Sequence, residues 1–487
     1  MVSMKDNRVV EYLFPCRILK SENIDNVSSL LEEKDLQIGV DSHPIAVFNK
    51  GAYIILDFKQ ELMGGVRILT HFSGDPSKSY RIRVRFGESV SESCAELGEK
   101  GACNDHSPRD FYVSLAALGD QDFGSTGFRF VRIDYLGDEP LPIYAITAKS
   151  VYRNLMEIEE YKFDDELTQS IFDTCKRTLL LNIQNNIWDG IKRDRLVWIG
   201  DMEPEIHAIL HLYGHIPEID SSLDYAEKNN PLPGFMNHIP SYSIWYLLII
   251  YDVYMFDHNR EFLNKHLDYM NGVINQLDQA VENDGSLDYL RVKGCPSDFY
   301  FIDWPSSKEP KEDKKNANKN LMKYVLQKVL RMYEEEGLDI SLTSQILTKL
   351  NKSSYYLENN KAFLAFNYLA NKDEMAYHKL IKDGAKGMST FLSYYVLKAV
   401  AQNDKGLALD MMKEYYGAML SRGATTFFED FNLEWLEGSG RIDELPKPGE
   451  KDLHGDFGDY CYKGFRHSLC HGWSCGPISF LIEEFKK

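Results

Sequence analysis

The sequence is short of several things that would point to common protein classes. None of its eight cysteines forms a CxxC pair, so the ligand spacing of a zinc ribbon is missing. No apolar run is long enough to span a bilayer, the longest lying near residues 242–251. Residues 1–10 are polar and carry no apolar core of a secretory signal, so a soluble, cytoplasmic protein is the expectation unless a leader has been trimmed away. Positive charge is in deficit: 55 Lys and Arg against 74 Asp and Glu give a net charge of −19. Nucleic acid and anionic membrane, which need a basic surface, are therefore not expected as partners, whereas neutral or cationic small molecules and sugars are compatible. Cys461, Cys470 and Cys475 lie close to His467 and His471, but free cysteines in a reduced compartment are the simpler reading, and no metal or cofactor is expected.

A chain of 487 residues favours more than one domain. After a lead-in over residues 1–37, with a short helix near 27–33, the pattern turns to strands between about 45 and 152. Tyr80, Ile82, Val84 and Phe86 alternate with Arg81, Arg83 and Arg85, the period of a half-buried strand. The bland reading of the arginine row is a solvated face; a sugar-binding face and pairing with acids of the next domain are the alternatives. Many short strands separated by glycine-containing breaks predict a β-sandwich of jelly-roll type over residues 1–160. From about residue 164 the period is helical. Segments 166–184, 202–213, 242–256, 260–282, 319–336, 341–350, 361–369, 386–402, 406–420 and 471–485 are predicted helices, with no fixed-length repeat. So many helices joined by long polar loops fit a toroid of helical hairpins over 161–487 better than a four-helix bundle. The lysine-rich, apolar-poor stretch 304–320 reads as a mobile surface loop.

One stretch resists any simple period. Residues 188–205, WDGIKRDRLVWIGDMEPE, interleave Asp189, Lys192, Arg193, Asp194, Arg195, Asp201, Glu203 and Glu205 with Trp188, Leu196, Val197, Trp198 and Ile199. Acids and bases sandwiched between tryptophans predict a partly buried polar site, where each charge finds a partner or shifts its pKa. Gly200-Asp201 followed by Met202-Glu203-Pro204 reads as a helix start with Asp201 as N-cap.

The run Asp189-Gly190-Ile191-Lys192-Arg193-Asp194-Arg195-Leu196-Val197-Trp198-Ile199-Gly200-Asp201 resembles the Asp-Cys-Pro-x-Arg-Glu-Arg-Leu-Gly-Trp-Thr-Gly-Asp stretch of the inverting α-L-rhamnosidases of glycoside hydrolase family 78. It departs from that pattern in lacking the Cys-Pro pair and in carrying Asp194 where the family has its general-acid glutamate. Gly423-Ala424-Thr425-Thr426-Phe427-Phe428-Glu429 is similar to the family's Gly-Ala-Thr-Thr-x-Trp-Glu, whose glutamate activates water. Weaker likenesses are Phe301-Ile302-Asp303-Trp304 to a Gly-Asp-Trp segment, Ser468-Leu469-Cys470-His471 to Ser-x-Asn-His, and residues 55–67 and 128–133 to strands of the family's sandwich. The resemblance implies that the helical domain is an (α/α)6 barrel, preceded by the sandwich and without the extra β-domains often found in the family. It implies a carbohydrate substrate, with Asp194 and Glu429 as the catalytic pair, and with Asp189, Arg193, Trp198, Asp201, Asp303, Trp304 and His471 binding the sugar.

Glycoside hydrolysis uses one carboxyl as proton donor and a second, about 6.5–9.5 Å away in inverting enzymes, to activate water. Arg193 and Arg195 would favour an ionised Asp194 if they pointed at it, so an acid role requires them to point elsewhere or burial to prevail. Asp194 is also shorter than glutamate by about 1.5 Å of reach. Glu203 and Glu205 are nearby longer substitutes, and Asp430, Glu434 and Glu437 compete with Glu429. Two other readings stay open: a sugar-binding relative without activity, and the same scaffold acting on another sugar such as a uronic acid held by Arg193 or Arg195.

Overall fold

The computed structural model describes residues 6–352 and 359–486; of Cys461 it describes the backbone alone. Strands fill the chain as far as Tyr152 and helices dominate after Glu166.

The β-region contains β1 (Val9–Leu13), β2 (Arg17–Asp25), β3 (Ala46–Thr70), β4 (Ser79–Gly87), β5 (Asp110–Ala116), β6 (Asp120–Tyr135) and β7 (Leu141–Tyr152), with a short α-helix, α1 (Val90–Cys94), after β4 and 3-10 turns at Val27–Leu31, where a short helix was expected, and Glu99–Gly101. They pair in the order β1-β7-β3-β6-β4-β5, with β2 also on β3, and every pairing is antiparallel except β3 with β7. The 25-residue β3 is the spine, contacting three neighbours. As the alternation requires, Tyr80, Ile82, Val84 and Phe86 face a core shared with Leu56, Phe58, Phe128 and Ile133. Of the arginine row, Arg81 alone is exposed. Arg85 is buried, bonding Glu96 and Asp134, and Arg83 holds Glu96 and Asp110. These acids belong to the β-region itself, so the solvated-face reading holds for Arg81 alone, and Arg83 and Arg85 pair within their own region; a guanidinium folds back onto its own sheet when neighbouring strands offer carboxylates.

The helical region contains α2 (Glu166–Asn182), α3 (Ile199–Tyr213), α4 (Pro217–Asn229), α5 (Pro240–Asp257), α6 (Arg260–Ala280), α7 (Lys311–Glu336), α8 (Ser341–Leu350), α9 (Lys361–Asn371), α10 (Glu374–Leu380), α11 (Ser393–Ala401), α12 (Lys405–Ser421) and α13 (Gly476–Phe485). Helices α3, α5, α7, α9, α11 and α13 contact one another in turn, and α13 returns to α3. Apolar faces of these helices meet in a single core that includes Trp245, Phe366, Tyr395 and Phe480.

Three expectations are corrected by the structure. Residues 304–320 are not a loop: a short turn at Pro305–Lys308 leads into α7, which begins at Lys311. Its lysines cover the outside while Asn316, Ala317, Asn318 and Asn320 are buried, so the helix hides a small polar face that carries no apolar period. Helix α3 starts at Ile199, two residues before Asp201, which sits in its first turn instead of capping it. The segment 386–402 is helical only from Ser393, and α4 and α10 went unpredicted.

Candidate active site

The 188–198 loop is fastened at both ends and in the middle. The backbone amide of Leu196 donates to Asp189 Oδ1 at 2.8 Å, and Gly190 bridges to His471. The Gly127 amide donates to Ile191 O at 3.0 Å, tying the loop to β6. Lys192 reaches beneath the site and donates to Glu88 (2.9 Å), Glu92 (3.1 Å), Phe465 O (2.9 Å) and His467 O (2.6 Å), all buried. Glu88, Glu92 and His454 have the donor set of a cation site, and the Lys192 ammonium supplies the cation. Asp194 and Arg195 are consecutive non-glycine residues with φ of 54° and 56°. Two adjacent side chains in the left-handed region cost about 1–3 kcal/mol each, and such strain persists where the surroundings fix it.

The second loop, 422–432, follows α12. Arg129 of β6, itself anchored on Asp57, donates to Gly423 O at 2.9 Å, and the Glu61 amide of β3 donates to Thr425 Oγ1 at 2.9 Å. The sandwich-like motif around Asp57 therefore serves to hold this loop. Farther along, the Glu429 carbonyl accepts from Trp473 Nε1 (2.9 Å) and Thr390 Oγ1 (2.6 Å).

The two loops meet through Arg193. Its guanidinium donates to Asp194 Oδ1 at 2.6 Å and to Glu429 Oε1 at 2.7 Å. Glu429 Oε2 accepts from the Ser468 amide at 3.0 Å. Arg195 turns away, onto Ser125 O at 2.6 Å and over the Trp188 ring. The requirement that both arginines avoid Asp194 is thus met by Arg195 alone. His106, from the loop between α1 and β5, places Nε2 3.4 Å from Asp194 Oδ1 and Nδ1 3.3 Å from its carbonyl oxygen.

Asp189, Arg193, Asp194, Trp198, Asp201, Ile239, Tyr242, Phe301, Trp304, Glu429, Tyr462 and His471 line one small indentation. His471 Nε2 stands 3.6 Å from Glu429, 3.8 Å from Asp189 and 3.9 Å from Asp201, at the centre of three carboxylates. Tyr242 donates to Asp201 at 2.6 Å. Burial governs the protonation of this cluster. It pushes Glu429 up to about 7 against the opposing pull of Arg193, and Asp201 up to about 8. Asp189 is raised well above the carboxylate range by burial and by Asp194 and Asp201, while His471 is held neutral by burial and by Arg193. Trp304 packs against Phe301 and Tyr462, and Trp198 lies edge-on to Tyr242, giving the rim an apolar wall.

Eight of the nine predicted site residues converge on this indentation; Asp303 does not line it. Its carboxylate accepts from the Ser306 amide (2.9 Å) and Ser389 Oγ (2.8 Å), so it braces the turn that carries Trp304. The substitutes for Asp194 point elsewhere: Glu203 accepts from Tyr395 at 2.5 Å, and Glu205 is sealed under Gly472. Glu434 pairs with Lys386 outside, and the Asp430 amide donates to His467 Nε2 at 2.9 Å. Cys470 and Cys475 are buried and free and His467 is already engaged, while the Cys461 side chain lies outside the described residues. Ile239, Tyr242, Phe301, Tyr462 and His106 were not foreseen as site residues; only Phe301 stood inside a recognisable motif.

This architecture is the fold of the α-L-rhamnosidases. A rhamnosidase from Klebsiella oxytoca with rhamnose bound superposes with a TM-score of 0.76 over 98% of this chain and 96% of the other, at 17% identity. The family 78 rhamnosidase of Bacillus sp. GL1 gives 0.68 at 14% identity and the Streptomyces avermitilis α-L-rhamnosidase complexed with L-rhamnose 0.65 at 16%; this chain covers 93% and 88% of itself but 48% and 42% of those larger proteins. No family model and no curated protein sequence matches the chain. Among the described residues no helix is long and apolar enough to cross a membrane.

Proposed function

We propose that the protein is an inverting glycoside hydrolase of the α-L-rhamnosidase type that removes a terminal rhamnose from a glycoside or oligosaccharide. Its helical region, 161–487, is read as an (α/α)6 barrel, supported by the ring of contacts that returns from α13 to α3, and residues 1–160 as the jelly-roll sandwich that buttresses it. The observation that carries the proposal is the shared guanidinium of Arg193, bound to Asp194 and Glu429 at once. That geometry brings the two carboxyls to one guanidinium at the same indentation, as a paired acid and base acting on one glycosidic bond require.

In this reading Asp194 protonates the departing oxygen and Glu429 draws the proton from water attacking the opposite face of the sugar. Asp189, Asp201 and neutral His471 bond the hydroxyls. A 6-deoxy sugar also presents a methyl group, for which Trp198, Tyr242, Phe301 and Trp304 offer apolar surface. A uronic acid fits less well, because Arg193 is already engaged by two carboxylates. A specific observation favours a second reading with the roles exchanged: Glu429, raised to about 7, has the pKa of a proton donor working near neutrality. Release of phenol from aryl α-L-rhamnosides, run beside a panel of other aryl glycosides, tests the activity and the sugar. NMR of the first-formed rhamnose anomer tests inversion. Rhamnose binding without hydrolysis would replace the enzyme with a lectin-like relative.

A further inference from the structure

Helix α3 leaves the active site at its first turn and carries two histidines in its last two. His207 and His211, four residues apart, present their Nε2 atoms on one face. Glu483 of α13 meets them there: its Oε1 stands 3.1 Å from His207 Nε2 and 3.4 Å from His211 Nε2. A tetrahedral ion with ligand bonds of about 2.0–2.1 Å needs its donors a little over 3 Å apart; both Glu483–histidine spacings meet that, and the three donor atoms all lie within 4.8 Å of one another. The three side chains are partly exposed, at 15%, 26% and 24%, which leaves a route for an ion and a face for water as fourth ligand. The other carboxylate oxygen, Oε2, accepts from Lys398 at 3.1 Å, and the Tyr394 hydroxyl is shared between Oε1 at 2.8 Å and Oε2 at 2.9 Å, which fixes the carboxylate with Oε1 facing the histidines.

We propose that His207, His211 and Glu483 form a binding site for a divalent transition-metal ion, zinc by its ligand preferences, that staples α3 to α13. Two imidazoles and a carboxylate suit zinc, and the neighbouring Lys398 ammonium limits the affinity. The position gives the ion a structural task. The contact between α3 and α13 is where the ring of helices closes on itself, so a bond there joins the two ends of the helical region. The site is separate from the carboxylate cavity and asks nothing of it.

The test is titration of the full chain with zinc chloride by calorimetry, with thermal melting as second readout. One ion per chain is expected, with a dissociation constant in the low micromolar range and a saturable rise in Tm. His207→Ala/His211→Ala should lose that equivalent, and Lys398→Met should tighten binding by about ten-fold by removing the opposing charge. No saturable binding to the native chain, or equal binding by the double variant, overturns the proposal. Should the double variant fail to fold, Lys398→Met decides: an unchanged dissociation constant refutes a metal beside Glu483.

Discussion

Glu429 offers the sharpest handle on the chemistry, because its titration separates its two possible roles. Burial raises it from 4.5 to about 7, against Arg193 and the Ser468 amide. A general base must be ionised in the free enzyme. At pH 5, two units below its pKa, about 1% of Glu429 is ionised, so kcat/KM should fall about 100-fold from its plateau above pH 8. A general acid gives the mirror image, with full activity at pH 5 and about 100-fold loss at pH 9. Glu429→Gln should abolish turnover in either case, and by more than about 100-fold. Stability carries the same signature. A carboxyl raised from 4.5 to about 7 contributes stability fully present below pH 4.5 and lost as pH rises through 7. The span corresponds to about 3 kcal/mol, so Glu429→Gln should gain on the native chain by about that amount between pH 4.5 and 8. Initial rates on an aryl α-L-rhamnoside from pH 5 to 9, with parallel melts, supply both measurements. A flat rate profile, or full activity in Glu429→Gln, would refute the reasoning.

Other outcomes follow from neighbouring contacts. His106→Ala removes the ring beside Asp194, and should lower kcat by about ten-fold with little change in KM or Tm if it positions that carboxyl; an effect on KM alone would contradict this. Lys192→Met leaves Glu88 and Glu92 buried without their cation and should cost about 3–5 kcal/mol by denaturant titration, less at pH 5 than at pH 8, because Glu88, raised to about 7 by burial, takes up a proton below that value. Trp304→Ala removes part of the apolar rim and should raise KM several-fold while sparing the melt. Gly472→Ala would set a methyl 2.1 Å from the Glu205 carboxyl carbon and should destabilise by about 1–3 kcal/mol, with Glu205→Ala relieving it.

Much of the site was legible because its residues cluster in two short runs whose chemistry is unusual. A charged, tryptophan-flanked stretch with no period fits neither a surface helix nor a half-buried strand, and a polar pocket accommodates it; Arg193, Asp194, Trp198 and Asp201 all came from it. Glu429 came from the likeness of its loop alone. What stayed hidden depends on contacts far apart in the chain. Tyr242 begins a helix buried on every side, so nothing in its neighbourhood marks it as facing a cavity. His106 reaches Asp194 across the boundary between strands and helices, 88 positions away. The error at 304–320 has a different origin: lysines on one side of α7 masked the buried asparagines on the other, and a polar buried face leaves no hydrophobic period. Asp303 misled because a carboxylate bracing a turn and one binding a hydroxyl look alike in sequence.

The concentration of acids around one small cavity has a consequence for what it accepts. As formal charges, Asp189, Asp194, Asp201 and Glu429 against Arg193 would give a strongly negative hole, hostile to most ligands. Burial changes that account. With Asp189 raised far above its usual range, Asp201 raised to about 8 and Glu429 to about 7, several of these groups hold protons at neutral pH, and Arg193 offsets another. A protonated carboxyl donates one hydrogen bond and accepts others, which is what a neutral polyol needs on each of its hydroxyls. The cavity is therefore closer to neutral than its composition suggests. It turns anionic in two steps, as Glu429 loses its proton near pH 7 and Asp201 near pH 8. Binding of rhamnose should weaken there in the native chain. Asp201→Asn should flatten that dependence, and a binding constant that stays level from pH 7 to 9.5 in the native chain would show that the acids are ionised throughout.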